Sequence, residues 1–162
     1  RQKFGLKSDL AVPKIEKVVV NIGIGSESKD EKSHESIVKD LSLITGQKPV
    51  FTLAKKAISA FKIRQGQPVG LKVTLRRKRM FDFLDRLINV ALPRTRDFRG
   101  LPEKSIDQNG NLNIGIKEQI IFPEISQEDI RKIFSMEITV VTDTKDRNKA
   151  EELFKLMGFP IK

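Results

Sequence analysis

The sequence has no cysteine, no tryptophan, no tyrosine and a single histidine, His34. Without cysteine there can be no disulfide framework, thiolate metal site or thiol nucleophile. A zinc centre needs several converging ligands, which one histidine cannot provide. His34 sits beside Glu35 on a predicted helix and reads as an ordinary surface or half-buried residue. No run approaches the roughly 18 apolar residues that cross a membrane. The stretch Asn21-Ile22-Gly23-Ile24-Gly25 lacks both the Lys-Ser/Thr ending of a phosphate loop and full dinucleotide spacing. No Ser-His-Asp arrangement is suggested. The expectation is a protein that is not an enzyme, with no catalytic residues, no metal and no cofactor.

What the chain does have is positive charge, concentrated in one place. The formal net charge is +10 over 162 residues. Residues 48–100 hold fourteen Lys and Arg against three Asp, an excess of +11, and the remainder is close to neutral at −1. Such an asymmetry draws a polyanion, nucleic acid first. An anionic membrane surface and a merely solubilising patch are the alternatives. The predicted helices mix both signs and the bases gather between and beside strands, which argues against a membrane. The length suits one domain, expected to span 1–162, and a chain of this size buries roughly 70% of the surface it exposes when unfolded.

Period-two alternation marks the strands. After Pro13, Val18, Val20, Ile22 and Ile24 share one face and Lys17, Val19, Asn21 and Gly23 the other, before a turn at Gly25 and Ser26. Residues 50–53, 69–76, 112–116 and 138–142 are further strands. Helical spacing predicts helices over 30–45, ended by Gly46, over 78–92, stopped by Pro93, and over 147–157, with Asp143 and Asp146 flanking its start as caps. A short helix is expected within 127–134. Residues 55–67 read as a long loop or irregular hairpin tip, 101–110 as a polar loop with an Asn109-Gly110 turn, and 120–125 as loop because Pro123 interrupts it. The fold class is therefore α+β: a mostly antiparallel sheet with helices packed on one face, the other face open to RNA, and an extended basic loop.

That open face carries Asn21, Gly23, Lys72, Thr74, Arg76, Asn113, Gly115 and Lys117, a set free of acids. Lys and Arg would meet phosphates; Asn and Thr would meet phosphate, 2′-hydroxyl or base edges. A second basic set is Arg76, Arg77, Lys78 and Arg79, where strand passes to helix. A third is Lys55, Lys56, Lys62 and Arg64 in the long loop, with Phe61 either stacking on a base or packing on the loop's own stem. A fourth is Arg94, Arg96 and Arg99, with Asp97 placed to orient an arginine. Asp82 and Asp85 are read as ion-pair partners of nearby bases.

Several longer stretches carry a resemblance. They include Leu43-Ile44-Thr45-Gly46-Gln47-Lys48-Pro49, Phe61-Lys62-Ile63-Arg64-Gln65-Gly66, Arg96-Asp97-Phe98-Arg99-Gly100-Leu101 and Lys117-Glu118-Gln119-Ile120-Ile121-Phe122-Pro123-Glu124-Ile125. In this order, across essentially the whole chain, they resemble the bacterial-type ribosomal protein L5 (uL5) family. The resemblance implies a structural constituent of the large ribosomal subunit, in the central protuberance, that binds 5S rRNA and nearby 23S rRNA. It implies that a loop holding Lys56, Ser59, Phe61, Lys62, Arg64 and Gln65 approaches P-site tRNA, and that a region from Gly115 to Ile125 approaches small-subunit protein S13. Neighbouring large-subunit proteins would be further partners. The location would be the cytoplasm, within the ribosome, or an organellar matrix or stroma. A non-ribosomal RNA-binding regulator is the alternative function.

The chain departs from the family pattern in places. Ser59-Ala60-Phe61 stands where the family commonly has Ala-Gly-Phe, which puts the loop tip's shape in question. Arg77-Lys78 replaces a common Gly-Glu, and Ile106-Asp107-Gln108 a common Phe-Asp-Gly. The family usually begins with about one further helix.

Overall fold

Five strands and three α-helices make up the regular structure of the computed structural model, which describes residues 2–25, 31–126, 128, 130 and 132–162. The elements are β1 (Ile15–Gly23), α1 (Glu31–Thr45), β2 (Val50–Leu53), β3 (Pro68–Leu75), α2 (Arg77–Arg86), β4 (Leu112–Ile116), β5 (Met136–Thr142) and α3 (Arg147–Leu156). The strands form one sheet in the order β2-β3-β1-β5-β4, and all four neighbouring pairs are antiparallel.

Alternation explains the layering. Val18, Val20 and Ile22 of β1, Leu71, Val73 and Leu75 of β3, Leu112, Ile114 and Ile116 of β4, and Met136, Ile138 and Val140 of β5 are all buried. They share one face of the sheet, and the helices pack there. Ile37, Leu41 and Ile44 come from α1, Met80, Phe83 and Leu84 from α2, and Ala150 and Phe154 from α3. Burial of the apolar stripes of sheet and helices removes their surface from water together, which is the main stabilising term. Asp146 caps α3, its carboxylate accepting from the backbone N–H of Asn148 at 3.0 Å. Asp143 does other work: it accepts from the N–H of Lys14 at 2.8 Å and so fastens the entry to β1.

Several segments differ from the sequence reading. The helix after β3 does not stop at Pro93. Beyond Arg86 it widens into a π-helical turn over Leu87–Ala91 and closes as a 3-10 turn over Leu92–Arg94. Proline lacks an N–H and is tolerated in the first turn of a new helical segment, so this change of winding accommodates Pro93. Residues 101–110 are more than a polar loop, because Leu101 and Ile106 are buried and the segment is bridged to Ile161 and Leu112. Gly110 there has φ 76°, and a Cβ at that site would stand 2.5 Å from the Thr144 carbonyl oxygen. Residues 120–125 are core: Ile121, Phe122 and Ile125 are buried, and Phe122 stacks on Phe83 at 6.1 Å. Pro123 interrupts the regular pattern without exposing it. The short helix expected over 127–134 does not extend into 132–135, which have no helical structure; residues 127, 129 and 131 lie outside the described residues, as do Ser26 of the expected turn and Asp30 at the expected start of α1. His34 is buried, its ring 6.0 Å from that of Phe51.

Candidate nucleic-acid interface

Strand register determines which side chains meet on the face turned away from the helices. One row across the sheet reads Val50, Lys72, Asn21, Glu137, Gly115. The next reads Thr74, Val19, Thr139, Asn113. Asn21, Lys72, Thr74 and Asn113, expected together from alternation, are thus neighbours on one surface, with Lys117 one residue beyond the end of β4. Lys72 and Lys117 are exposed; Asn21, Thr74 and Asn113 are half-buried.

The face is not free of acids, as the strand pattern had indicated. β5 begins at Met136, two residues earlier than the alternation suggested, and this places exposed Glu137 in the middle row. Asn113 is also less available than its neighbours: its Oδ1 accepts from the Thr139 hydroxyl at 2.8 Å, and its side chain is among the donors to Asp107.

Gln47 was missed from sequence and belongs to the set. It follows the stop glycine of α1, and its Nε2 donates to the Thr74 carbonyl at 3.1 Å while its Oε1 accepts from Arg79 Nη1 at 3.4 Å. The only sequence signal was its place within the Thr45-to-Pro49 stretch. It links the polar face to the bases at the head of α2.

Those four bases are all exposed, and the backbone explains how they spread. Arg76 is extended at φ −137°, Arg77 is left-handed at φ 54°, and Lys78 and Arg79 wind into the first turn. A left-handed conformation costs a non-glycine residue about 1–2 kcal/mol. The first turn of α2 holds no acid and no side-chain cap, so four cations surround the positive end of the helix. Arg76 has an acidic neighbour, Glu16 at 3.9 Å, with both side chains about half exposed at 54% and 53%; such a pair is weak and screened.

The β2–β3 connection continues the antiparallel pairing of those strands outward as a distal hairpin. Ala54 N–H donates to the Gln67 carbonyl at 2.8 Å, and Ile58 and Ile63 exchange hydrogen bonds at 3.0 and 3.1 Å. The tip is a 3-10 turn over Ser59–Phe61 followed by Lys62 at φ 53°. The left-handed position is therefore Lys62, and Ala60 needs none of the freedom of the family's glycine. Lys55, Lys56, Ser59, Lys62, Arg64 and Gln65 are exposed, and Phe61 is 72% exposed, so it does not pack on its stem. Arg94, Arg96 and Arg99 are exposed as well. A depression of 420 Å³ brings Arg96 beside Lys117, with Asp97 and Glu118 in the same wall. Among the described residues Asp97 orients no arginine; it fills a left-handed turn position at φ 54°. Asp82 and Asp85 likewise form no ion pair among the described residues: Asp85 accepts from Asn89 Nδ2 at 2.7 Å, and Arg86 reaches the Asp82 backbone carbonyl and the Glu124 carboxylate instead.

Among the described residues no group of three or more His, Asp or Glu side chains is placed to hold a metal ion, and no helix is long and apolar enough to cross a membrane.

Two family models match the chain. One, described as ribosomal protein L5, covers residues 8–64; the other, described as the C-terminus of the ribosomal L5 family, covers residues 68–161. The large ribosomal subunit protein uL5 of Desulforamulus reducens is 55% identical over 160 residues, 99% of this chain and 88% of the relative. The uL5 proteins of Alkaliphilus oremlandii and Caldanaerobacter subterraneus subsp. tengcongensis are 53% and 52% identical over the same length, each covering 99% of this chain and 89% of the relative.

Proposed function

Because this chain belongs to the ribosomal protein L5 family, a structural, rRNA-binding part of the large ribosomal subunit and not an enzyme, we propose that the open sheet face holds 5S rRNA and nearby 23S rRNA. The observation that carries this reading is the register: it assembles Lys72, Asn21 and Thr74 on the face opposite the one on which α1, α2 and α3 pack. Arg76, Arg77, Lys78 and Arg79 extend that face through Gln47, and Lys117 extends it towards Arg96. Lys and Arg neutralise phosphates and release counterions, so affinity falls as salt rises. Asn and Thr amide and hydroxyl groups add hydrogen bonds that fix orientation. Lys55, Lys56, Arg94, Arg99 and Asn113 complete the proposed contact set.

Two finer contacts belong to the same proposal. The distal hairpin, with Lys56, Ser59, Phe61, Lys62, Arg64 and Gln65 at or near its tip, approaches P-site tRNA; Phe61 supports this, since most of its ring is exposed. The region from Gly115 to Ile125 meets small-subunit protein S13, alongside neighbouring large-subunit proteins. The whole chain acts as one domain, because β1 from the first matched segment lies between β3 and β5 from the second.

A salt-dependent titration with isolated 5S rRNA tests the main contact. Arg76→Glu and Arg77→Glu should each weaken binding and reduce the salt slope by about 1. Unchanged affinity and slope reject direct phosphate contacts by those two arginines.

A further inference from the structure

Glu137 stands out on a surface otherwise suited to phosphate. It faces Asn21 on one side and Gly115 on the other in the antiparallel register. It is exposed, and among the described residues its carboxylate has neither a salt bridge nor a hydrogen bond, although Lys117 lines the same depression. That depression, of 550 Å³, is walled by Asn21, Gly23, Asn113, Gly115, Lys117 and Glu137, with Ser135 at its end.

Two of the residues that line it are glycines without an internal reason. Neither Gly23 nor Gly115 has a positive φ, and a Cβ built on either would meet nothing within 4 Å. Glycine inside a strand costs conformational entropy and leaves nothing to pack, so its use here marks a place where something from outside comes close to the backbone. A carboxylate repels phosphate and cannot serve the backbone of the RNA. It accepts hydrogen bonds only, through two oxygens side by side. Among the four bases, only guanine presents two adjacent N–H donors on one edge, N1–H and N2–H, and it sets the O6 acceptor beside them. An amide N–H of Asn21 is a matching donor for O6.

We propose that this depression receives one unpaired guanine of the bound RNA, read by Glu137 on its Watson–Crick edge, with Asn21 beside it and Gly23 and Gly115 clearing the space. Sequence-specific recognition of RNA acts on such splayed-out bases. The inference rests on the RNA-binding reading of this face and adds to it a specific base. The phosphates flanking the guanine fall to Lys72 and Lys117.

The test uses the whole chain and three labelled RNA pentamers, UUGUU, UUIUU and UUAUU, where I is inosine, which lacks the N2 amino group. The wild-type protein should bind UUGUU about tenfold more tightly than UUIUU, the order of one charge-assisted hydrogen bond. Glu137→Gln should abolish that preference and weaken UUGUU, yet leave UUAUU unchanged or slightly tighter, since a negative charge has left a basic surface. Gly115→Val, which fills the depression, should also erase the preference; thermal unfolding of Glu137→Gln should match the wild type and that of Gly115→Val should be no lower. No preference in the wild type, no binding of UUGUU at millimolar concentration, or a Glu137→Gln variant that binds all three more tightly overturns the proposal. Guanosine monophosphate should bind more weakly than UUGUU, and equal or tighter binding would assign the depression to a free nucleotide and overturn the RNA assignment. The 5S rRNA titration of Arg76→Glu, run alongside, separates the two claims. Sensitivity there with no guanine preference removes only the base reading, and the converse removes only the phosphate contacts.

Discussion

Gln119 and Phe134 lie fifteen residues apart and are joined through a fully buried amide: the Phe134 N–H donates to Gln119 Oε1 at 2.9 Å. The same side chain donates through Nε2 to the Lys132 carbonyl. One glutamine thus clasps both ends of the connection from β4 to β5 and satisfies a buried donor and a partly buried acceptor. Gln119→Leu keeps the volume and strands both backbone groups. A buried unsatisfied group costs about 1–3 kcal/mol and the Lys132 carbonyl is only partly buried, so the variant should lose roughly 1–4 kcal/mol of stability in urea unfolding. A loss below about 1 kcal/mol would mean that water takes over both bonds.

Arg77 offers a substitution with opposite effects on stability and binding. Its backbone is left-handed at φ 54° and its side chain is exposed. Arg77→Gly removes the steric cost of that conformation, offset in part by the greater freedom of glycine in the unfolded chain. The variant should be more stable by up to about 1 kcal/mol while binding 5S rRNA more weakly. Chemical denaturation and the RNA titration measure the two effects; a variant that is both less stable and equally tight contradicts the assignment.

Asp107 predicts a pH dependence. Partial burial by itself would raise its pKa, but donors from Asn111, Asn109 and Asn113 outweigh burial and hold the carboxyl below its ordinary 3.8. The backbone N–H groups of Asn109 and Asn111 reach its Oδ1 at 2.8 and 2.9 Å. A lowered native pKa contributes stability that is complete above the unfolded value and is lost as pH falls through the native one. Asp107→Asn removes that titration. Wild type should be the more stable at about pH 6, and the gap should narrow below about pH 4, where unfolded aspartate takes up its proton. Thermal midpoints of the two proteins across that range check it; a constant gap would show that the carboxylate's charge is immaterial.

The distal hairpin should be separable from the rest. Its base is closed by Ala54 and Gln67, and none of its basic residues lines the depression on the open face. Replacing residues 57–65 with a short turn, which keeps Lys56 and the closing Gly66 and Gln67, should leave 5S rRNA affinity within about twofold, a change of roughly 0.4 kcal/mol, and should reduce retention of P-site tRNA by assembled ribosomes. Equal retention in variant and parent would remove the tRNA assignment.

Much of this architecture is legible in the amino-acid sequence. β1, β3 and β4 followed from alternation because a strand's faces repeat every two residues, and burial on one side enforces the pattern. The helical stripes were visible for the same kind of reason. Hidden features were those whose partner lies far along the chain. Gln47 gave no local sign that it would reach Thr74, 27 residues away. Residues 120–125 read as loop because Pro123 breaks any regular period, although Phe122 was bound for the core beside Phe83. The π-helical turn at Leu87–Ala91 leaves the residue spacing close to that of an ordinary helix and so passed unseen.

By itself the sequence determined which side of each strand is apolar, where the positive charge is concentrated and which family the chain belongs to. These are local or summed properties, readable from a residue's near neighbours or from composition and order. Only the tertiary structure decided that the strands lie in the order β2-β3-β1-β5-β4, and hence that Glu137 sits between Asn21 and Gly115 on the open face. Order and register are settled by burying several apolar faces at once against the cost of closing the loops between them, a non-local balance that no single segment encodes.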